Sequence, residues 1–312
     1  MHPISEHPAA ARRITIAALA GALLLVPATV AAQAPDRIDL PAGWAPEGIT
    51  TDGTSLFVGS LANGAIWRGD PATGEGEVLA EGSAGRVAAG IEAEVDAGRI
   101  WAAGADTGEV RAYDSESGEL LATYTFEAGF LNDLVATPDA IYVTDSFVPQ
   151  LLVIPLDDGA LPAPEAAEAL PISGELEYGE GFNVNGIVSS PAGLVVVHSG
   201  DGELFRVDPA TGESSRIDIG ESSVSAGDGL EIDGQTLYVV RNRLNQVAVF
   251  ELDEAATAAS QVAELTSSEL NVPTTAAVLG ADLWAVNAVD FGQGGPETEY
   301  WITRLDTTAD EE

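Results

Sequence analysis

Past residue 32, short apolar runs of three to seven residues alternate with small and polar residues, and no stretch keeps a helical period long enough to compete with strands. Six of these runs open in the same way, each with a small or polar residue at one register position. The openings read Pro46-Glu47-Gly48-Ile49, Ala88-Ala89-Gly90-Ile91, Leu131-Asn132-Asp133-Leu134, Val184-Asn185-Gly186-Ile187, Gly227-Asp228-Gly229-Leu230 and Pro273-Thr274-Thr275-Ala276. The shared column is therefore Glu47, Ala89, Asn132, Asn185, Asp228 and Thr274, with spacings of 42, 43, 53, 43 and 46 residues. A period near 45 fits one four-stranded propeller blade.

Each unit repeats a second signal. Some 23 to 25 residues beyond the column stand Asp70, Asp114, Asp157, Asp208 and Asp253, several followed by turns such as Pro71-Ala72-Thr73-Gly74. Asp bonding its own backbone and Gly supplying a positive φ predict hairpins there. Two alternating apolar runs precede each turn, as in Leu194–Val197 and Leu204–Val207, and one follows it, as in Leu120–Phe126. Four strands per unit predict an all-β fold, a six-bladed β-propeller. The sixth unit ends after its third strand, Tyr300–Leu305, in a tail closing on Asp310-Glu311-Glu312. Its fourth strand is expected from Arg37-Ile38-Asp39-Leu40, which would close the ring and hide both sheet edges. The ten-residue excess around 160–171, rich in Ala, Pro and Glu, reads as a spacer.

Arg12-Arg13, the apolar run Ile14–Val26 and the small residues Val30-Ala31-Ala32 have the layout of a secretory signal. Residues 1–32 are read as the signal and 33–312 as the propeller domain. The run is too short, and broken by Pro27, to be a span of about 20 residues. We therefore expect a secreted, extracytoplasmic protein, free of the membrane after cleavage and monomeric. Without Cys, disulfides and thiol chemistry are excluded; without Lys, so is Schiff-base chemistry.

Net charge is −38; of 50 acidic and 12 basic residues, the leader holds only Glu6, Arg12 and Arg13, leaving 49 against 10. Such a surface repels nucleic acid and anionic membrane. It suits solubility in a saline setting or the attraction of divalent cations.

Radial repetition would carry Glu47, Asn132, Asn185 and Asp228 to one axis. Two charged and two neutral oxygens suit a hard divalent cation such as Ca²⁺, and not Zn²⁺. The alternative is polar lining of a water-filled channel. Thirteen residues beyond the column, the next strand should return to the same mouth, at Ser60, Ala102, Asp145, His198, Arg241 and Asn287. His198, the only histidine outside the leader, is either a proton carrier or a hydrogen-bonded strand end. Arg241 either clamps a substrate carboxylate or pairs with Asp145 or Asp228. The Gly-rich stretch Val289–Pro296 is expected to overhang this mouth as a rim or lid.

In these residues the chain resembles the regucalcin, gluconolactonase and paraoxonase group of six-bladed propellers, which includes strictosidine synthase-like proteins. The resemblance spans the mature chain and rests on Glu47 in Pro-Glu-Gly, Asn132 in Asn-Asp-Leu, Asn185 in Asn-Gly-Ile and Asp228 in Asp-Gly-Leu. It implies a divalent metal, usually calcium, held by these four at the channel mouth, and hydrolysis of a lactone or small ester. Asp228, Asp133 or His198 would then activate water, with Ser60, Asp145, Arg241 and Asn287 lining the mouth. The competing expectation is a non-catalytic propeller that binds a ligand or protein and uses the metal as a brace. Redox catalysis has little support, since a transition-metal site would need ligands that are missing here.

Overall fold

A computed structural model describes residues 34–157 and 159–307; the leader and the terminal acidic tail lie outside the described residues. Six antiparallel sheets surround one axis, and their innermost strands are Pro46–Thr51, Ile91–Glu94, Leu131–Ala136, Val184–Ser190, Gly227–Asp233 and Pro273–Leu279. Each inner strand neighbours the next, and the sixth neighbours the first, so the ring is closed. Helical structure among the described residues is limited to three-residue 3-10 turns.

The Asp turns form as the sequence predicts. Asp70 accepts the amide of Ala72 (2.8 Å) and Asp114 that of Ser117 (2.7 Å), while Gly74 and Gly118 take φ of 74° and 71°. The closing strand is also where it was expected. Arg37, Ile38 and Asp39 pair antiparallel with Thr303, Ile302 and Trp301, making the sixth blade from both ends of the domain. The stretch around 160–171 is more than a spacer: Glu168–Pro171 is the fourth strand of the third blade, paired with Gln150–Val153. Ser173–Gly174 then runs parallel to Glu213–Ser214 on the outer edge of the fourth blade.

The apolar core lies between blades. Strand side chains alternate between the two faces of each sheet, so both faces bury against neighbours and the core divides into six clusters. The seam between the sixth and first blades holds Trp44, Trp67, Trp284, Tyr300 and Ile38. Between the second and third blades, Trp101 stacks on Tyr124 with centroids 5.9 Å apart. This layering leaves the inner edges of six strands facing the axis, and those edges build the site.

Candidate functional site: an axial channel of carboxylates and amides

At the start of five of the six inner strands the register slips by one residue, between Pro46 and Ile49, Leu131 and Leu134, Val184 and Ile187, Gly227 and Leu230, and Pro273 and Ala276. These are β-bulges, each with one extra residue on the inner strand. The bulge explains the shared dipeptides. A Cβ on Gly48 would come within 2.5 Å of the Ala89 carbonyl, and one on Gly186 within 2.5 Å of the Asp228 carbonyl. The glycines thus let adjacent inner strands approach, and are not turn residues. Asp133 and Thr275 hold the equivalent positions in the third and sixth blades.

The column residues Glu47, Ala89, Asn132, Asn185, Asp228 and Thr274 are all buried. Hydrogen bonds lace them around the ring. The Gly48 amide donates to the Ala89 carbonyl (3.0 Å) and that of Gly90 to the Asn132 carbonyl (2.7 Å). Thr144 Oγ1 donates to the Asn185 carbonyl (2.7 Å), and Thr274 Oγ1 to that of Glu47 (2.6 Å). Asp228 is held at both oxygens: Asn185 Nδ2 donates to Oδ1 (2.7 Å) and Asn242 Nδ2 to Oδ2 (2.6 Å). Asn132 Nδ2 donates to Ser146 Oγ (2.9 Å), which itself donates to the Val184 carbonyl (2.7 Å). Both asparagine amides therefore spend a nitrogen on the framework, which fixes the orientation of their oxygens.

Below this ring the channel opens into a cavity of about 240 Å³ lined by residues of all six inner strands, among them Ile49, Glu92, Asp133, Ser189, Glu231 and Thr275. Its carboxylates cap the unpaired amides of the inner edges. Asp133 Oδ1 accepts the Leu134 amide (2.9 Å) and Oδ2 that of Ile187 in the next blade (3.4 Å). Glu92 accepts from Thr50 Oγ1 (3.2 Å) and from the amides of Ala93 and Ala136; Glu231 accepts from those of Ile232 and Val278. Each of the three thus ties its own blade to the following one.

Five carboxyl groups consequently share one axis, Glu47, Asp133 and Asp228 buried and Glu92 and Glu231 half-buried, and all are pushed towards the protonated form. Burial raises Glu47 well above its usual range, with the charges of Asp228 and Asp133 adding to it. Burial takes Asp228 to about 7 against the opposing pull of Asn242, Asn185 and Arg243. Asp133 rises to about 8, through burial and then the charge of Glu92. Burial likewise takes Glu92 to about 7 and raises Glu231, beside Glu92 and Asp133.

The donor set fits a hard cation in kind, since it offers carboxylate and amide oxygens and no soft ligand. Among the described residues no three Asp, Glu or His side chains suffice to hold a metal by themselves. A cation at this mouth must draw on the oxygens of Asn132 and Asn185.

The residues of the second column are placed differently. Ser60, Asp145, His198, Arg241 and Asn287 lie opposite Pro46, Leu131, Val184, Gly227 and Pro273, at the same end of the blades. Ser60 donates to the Trp44 carbonyl (2.6 Å), and Asn287 bonds Asn271, Trp301 and Thr303. Asp145 is fully buried and accepts the amides of Gly129, Phe130, Phe147 and Val148. His198 has both ring nitrogens engaged. Nδ1 accepts the Asp201 amide (3.1 Å), which assigns the proton to Nε2, 3.2 Å from Asn183 Oδ1. Arg241 donates to Ser225 (3.1 Å) and not to Asp145 or Asp228. The Gly-rich stretch runs from Phe291, under the Arg243 guanidinium at 5.4 Å, to Gly292 beside Leu61 and Ala45. It spans the sixth blade at this mouth.

Glu92, Glu231 and Asn242 were not singled out from sequence. A signal existed for the first two, since both stand three residues past the column, where the other units carry Thr50, Val135, Val188 and Ala277. Asn242 follows the second column directly and carries no repeat signal.

No protein-family model matches the chain, and neither does the sequence of any curated protein. Solved structures do match. The major Malassezia sympodialis allergen Mala s 1 aligns with a TM-score of 0.67 at 17% identity, over 88% of this chain and 97% of its own. Luciferin-regenerating enzyme aligns at 0.59 and 12% identity, over 88% of this chain and 95% of that one. The PQQ-bound aldose sugar dehydrogenase of Streptomyces coelicolor aligns at 0.56 and 18% identity, over 88% and 99%. At these identities the likeness is one of fold, and with the six closed blades it establishes the chain as a six-bladed β-propeller.

Proposed function

We propose that this propeller is a divalent-cation-dependent hydrolase of a lactone or small ester, secreted to a calcium-rich extracytoplasmic space. Glu47, Asn132, Asn185 and Asp228 would hold the cation. The observation that carries the reading is the meeting of buried carboxylates and oriented amide oxygens from four blades at one mouth. Among the described residues no basic side chain is buried with them; Arg243, whose charge acts on Asp228, is exposed. Buried charge without a counter-charge is costly, and a bound cation removes that cost.

When bound, the cation supplies Lewis-acid polarisation of the carbonyl and stabilises the charge developing on its oxygen. The chain does the rest. Asn185 and Asn242 orient Asp228, which takes a proton from water as the water oxygen adds to the carbonyl carbon. The ring or ester C–O bond then breaks, and the departing oxygen is protonated to give a hydroxy acid, or an acid and an alcohol. Asp133, like Asp228, accepts one hydrogen bond at each oxygen and is the alternative base, whereas His198 would have to give up its Asp201 bond at Nδ1 to accept a proton. Two of the three structural neighbours described above are named as enzymes, but a propeller fold serves binding and catalysis alike.

A second reading is favoured by the bonds of Ser60, Asp145 and Asn287, which are spent on the framework. It makes the protein a non-catalytic binding propeller braced by the metal. Calorimetric titration of Ca²⁺ into chelator-stripped mature protein and into the Glu47→Ala, Asp228→Ala double variant, followed by a lactone and aryl-ester panel, separates the two. One tight site lost in the variant, with turnover that follows calcium, supports the hydrolase. Identical titrations overturn the metal site, and a calcium site without turnover of any panel member favours the binding propeller.

A further inference from the structure

On the rim of the same mouth, three phenylalanines from three segments form an aromatic cluster, Phe130 half-buried and Phe147 and Phe182 exposed. The Phe147 and Phe182 rings stand 4.8 Å apart, those of Phe130 and Phe182 5.2 Å and those of Phe130 and Phe147 5.9 Å. Phe147 is 46% exposed and Phe182 47%, with Val148 beside them at 37%. Contiguous apolar surface of this kind on a strongly charged protein marks a contact site.

The cluster is built from beneath. The buried Asp145 carboxylate holds the amides of both Phe130 (3.0 Å) and Phe147 (3.0 Å). The Phe182 segment is fixed by buried Asn183, which donates to the carbonyls of Ser146 (3.1 Å) and Gly181 (2.8 Å) and accepts the Gly179 amide (2.6 Å). Buried hydrogen bonds thus pay for rings held half in water. The cluster is also continuous with the candidate site. Ser146, next to Phe147, bonds the Asn132 side chain and the Val184 carbonyl, while Phe130 lies two residues before Asn132 and Phe182 three before Asn185. Around it the chain supplies Glu127, Glu177 and Glu180, all exposed, and no Arg or Lys between 112 and 205.

We propose that Phe130, Phe147 and Phe182 form a subsite for the apolar part of the substrate, an alkyl chain or aromatic ring carried on a neutral lactone or ester. This rests on the hydrolase reading for the identity of the rest of the molecule. The rings supply a rigid apolar wall beside the point where the amide oxygens of Asn132 and Asn185 meet the axis, and the acidic surroundings reject an anionic substituent. The substrate class is thereby narrowed from any small lactone to one with a hydrophobic substituent.

The test compares wild type with the Phe147→Ala, Phe182→Ala double variant on δ-valerolactone and δ-dodecalactone. Both positions are exposed, and retention of the thermal midpoint checks the fold. The expected result is a kcat/KM for the long-chain lactone at least about tenfold above that for the short one in wild type. The variant should lose that preference while the short-chain rate stays within about twofold. Equal preference in both proteins, or none in wild type, overturns the subsite. Should neither lactone nor any ester turn over, binding of the neutral fluorophore N-phenyl-1-naphthylamine decides separately. Binding weakened about tenfold in the variant keeps the subsite while the hydrolase reading falls, and unchanged binding overturns the subsite as well. A dimer in wild type that the variant converts to monomer overturns it too, by making the cluster an interface between copies.

Discussion

Replacing Glu92 with Gln should stabilise the cation-free protein in alkaline solution. The Glu92 carboxyl, half-buried in the axial channel it shares with Asp133 and Glu231, is raised from 4.5 to about 7 by loss of solvation, against the pull of its hydrogen bonds to Ala136, Thr50 and Ala93. Its folded pKa lies above the unfolded value, so between those two values the folded state binds the extra proton and stability falls as pH rises. The loss is complete above pH 7 and absent below about 4.5. At about 1.4 kcal/mol for each tenfold change in proton affinity, the cost at pH 8 is on the order of 3 kcal/mol. Gln keeps an oxygen for the amides of Ala93 and Ala136 and carries no charge, so it should recover most of this. For a domain of this size that is a rise of roughly 5–10 °C in thermal midpoint at pH 8, shrinking to about zero at pH 4.5. The assay is differential scanning calorimetry of residues 33–312 in EDTA at 0.15 M salt, at both pH values. A variant no more stable than wild type at pH 8, or shifted equally at both pH values, would refute the argument that ionised Glu92 is an uncompensated charge.

Asn242→Ala removes the 2.6 Å bond to Asp228 Oδ2 and should weaken calcium binding by about tenfold with the fold unchanged, read by calorimetric titration; unchanged affinity would show that Asp228 needs no such support. Asp228→Asn should abolish lactone turnover, whereas His198→Gln should cost less than about tenfold; the reverse order, with calcium binding intact in both, would make His198 the proton acceptor. Ile38→Ala truncates a side chain 1% exposed in the seam with Trp44, Trp67 and Trp284, so urea unfolding should show a loss of about 2–4 kcal/mol. A change below about 1 kcal/mol would mean that the closing strand contributes little.

The ring was legible in the sequence because the features that define a blade are local. Asp-x-x-x-Gly turns and alternating apolar runs are set by φ preference and by the two-residue period of a strand, and they recur whatever the blade packs against. The incomplete sixth unit and the isolated run at Arg37–Leu40 even indicated how the ring closes. Glu168–Pro171 was harder to see, because an outer strand with one face in water and one edge unpaired needs few apolar residues. Its pairing with Gln150–Val153 decides it.

The channel was half legible, and the reason lies in the geometry of the inner strand. Its side chains pack against neighbouring blades, so the axis is reached only where a bulge turns the chain inward or where a long side chain curls back over the edge. The bulge left a trace, since the extra residue and the following glycine recur in register, and that trace gave Glu47, Asn132, Asn185 and Asp228. The curling side chains left almost none. Glu92 and Glu231 stand at positions where other blades carry Thr or aliphatic residues, and they reach the axis because open amides of Ala136 and Val278 wait on the next blade. The same logic accounts for the second column. Register alone places Ser60, Asp145 and Asn287 at the mouth, but whether such a side chain faces the channel or the loop behind it depends on which unpaired amides lie within reach. For Asp145 those amides belong to Phe130 and Phe147, so a residue selected as a channel acid becomes the support of the aromatic rim.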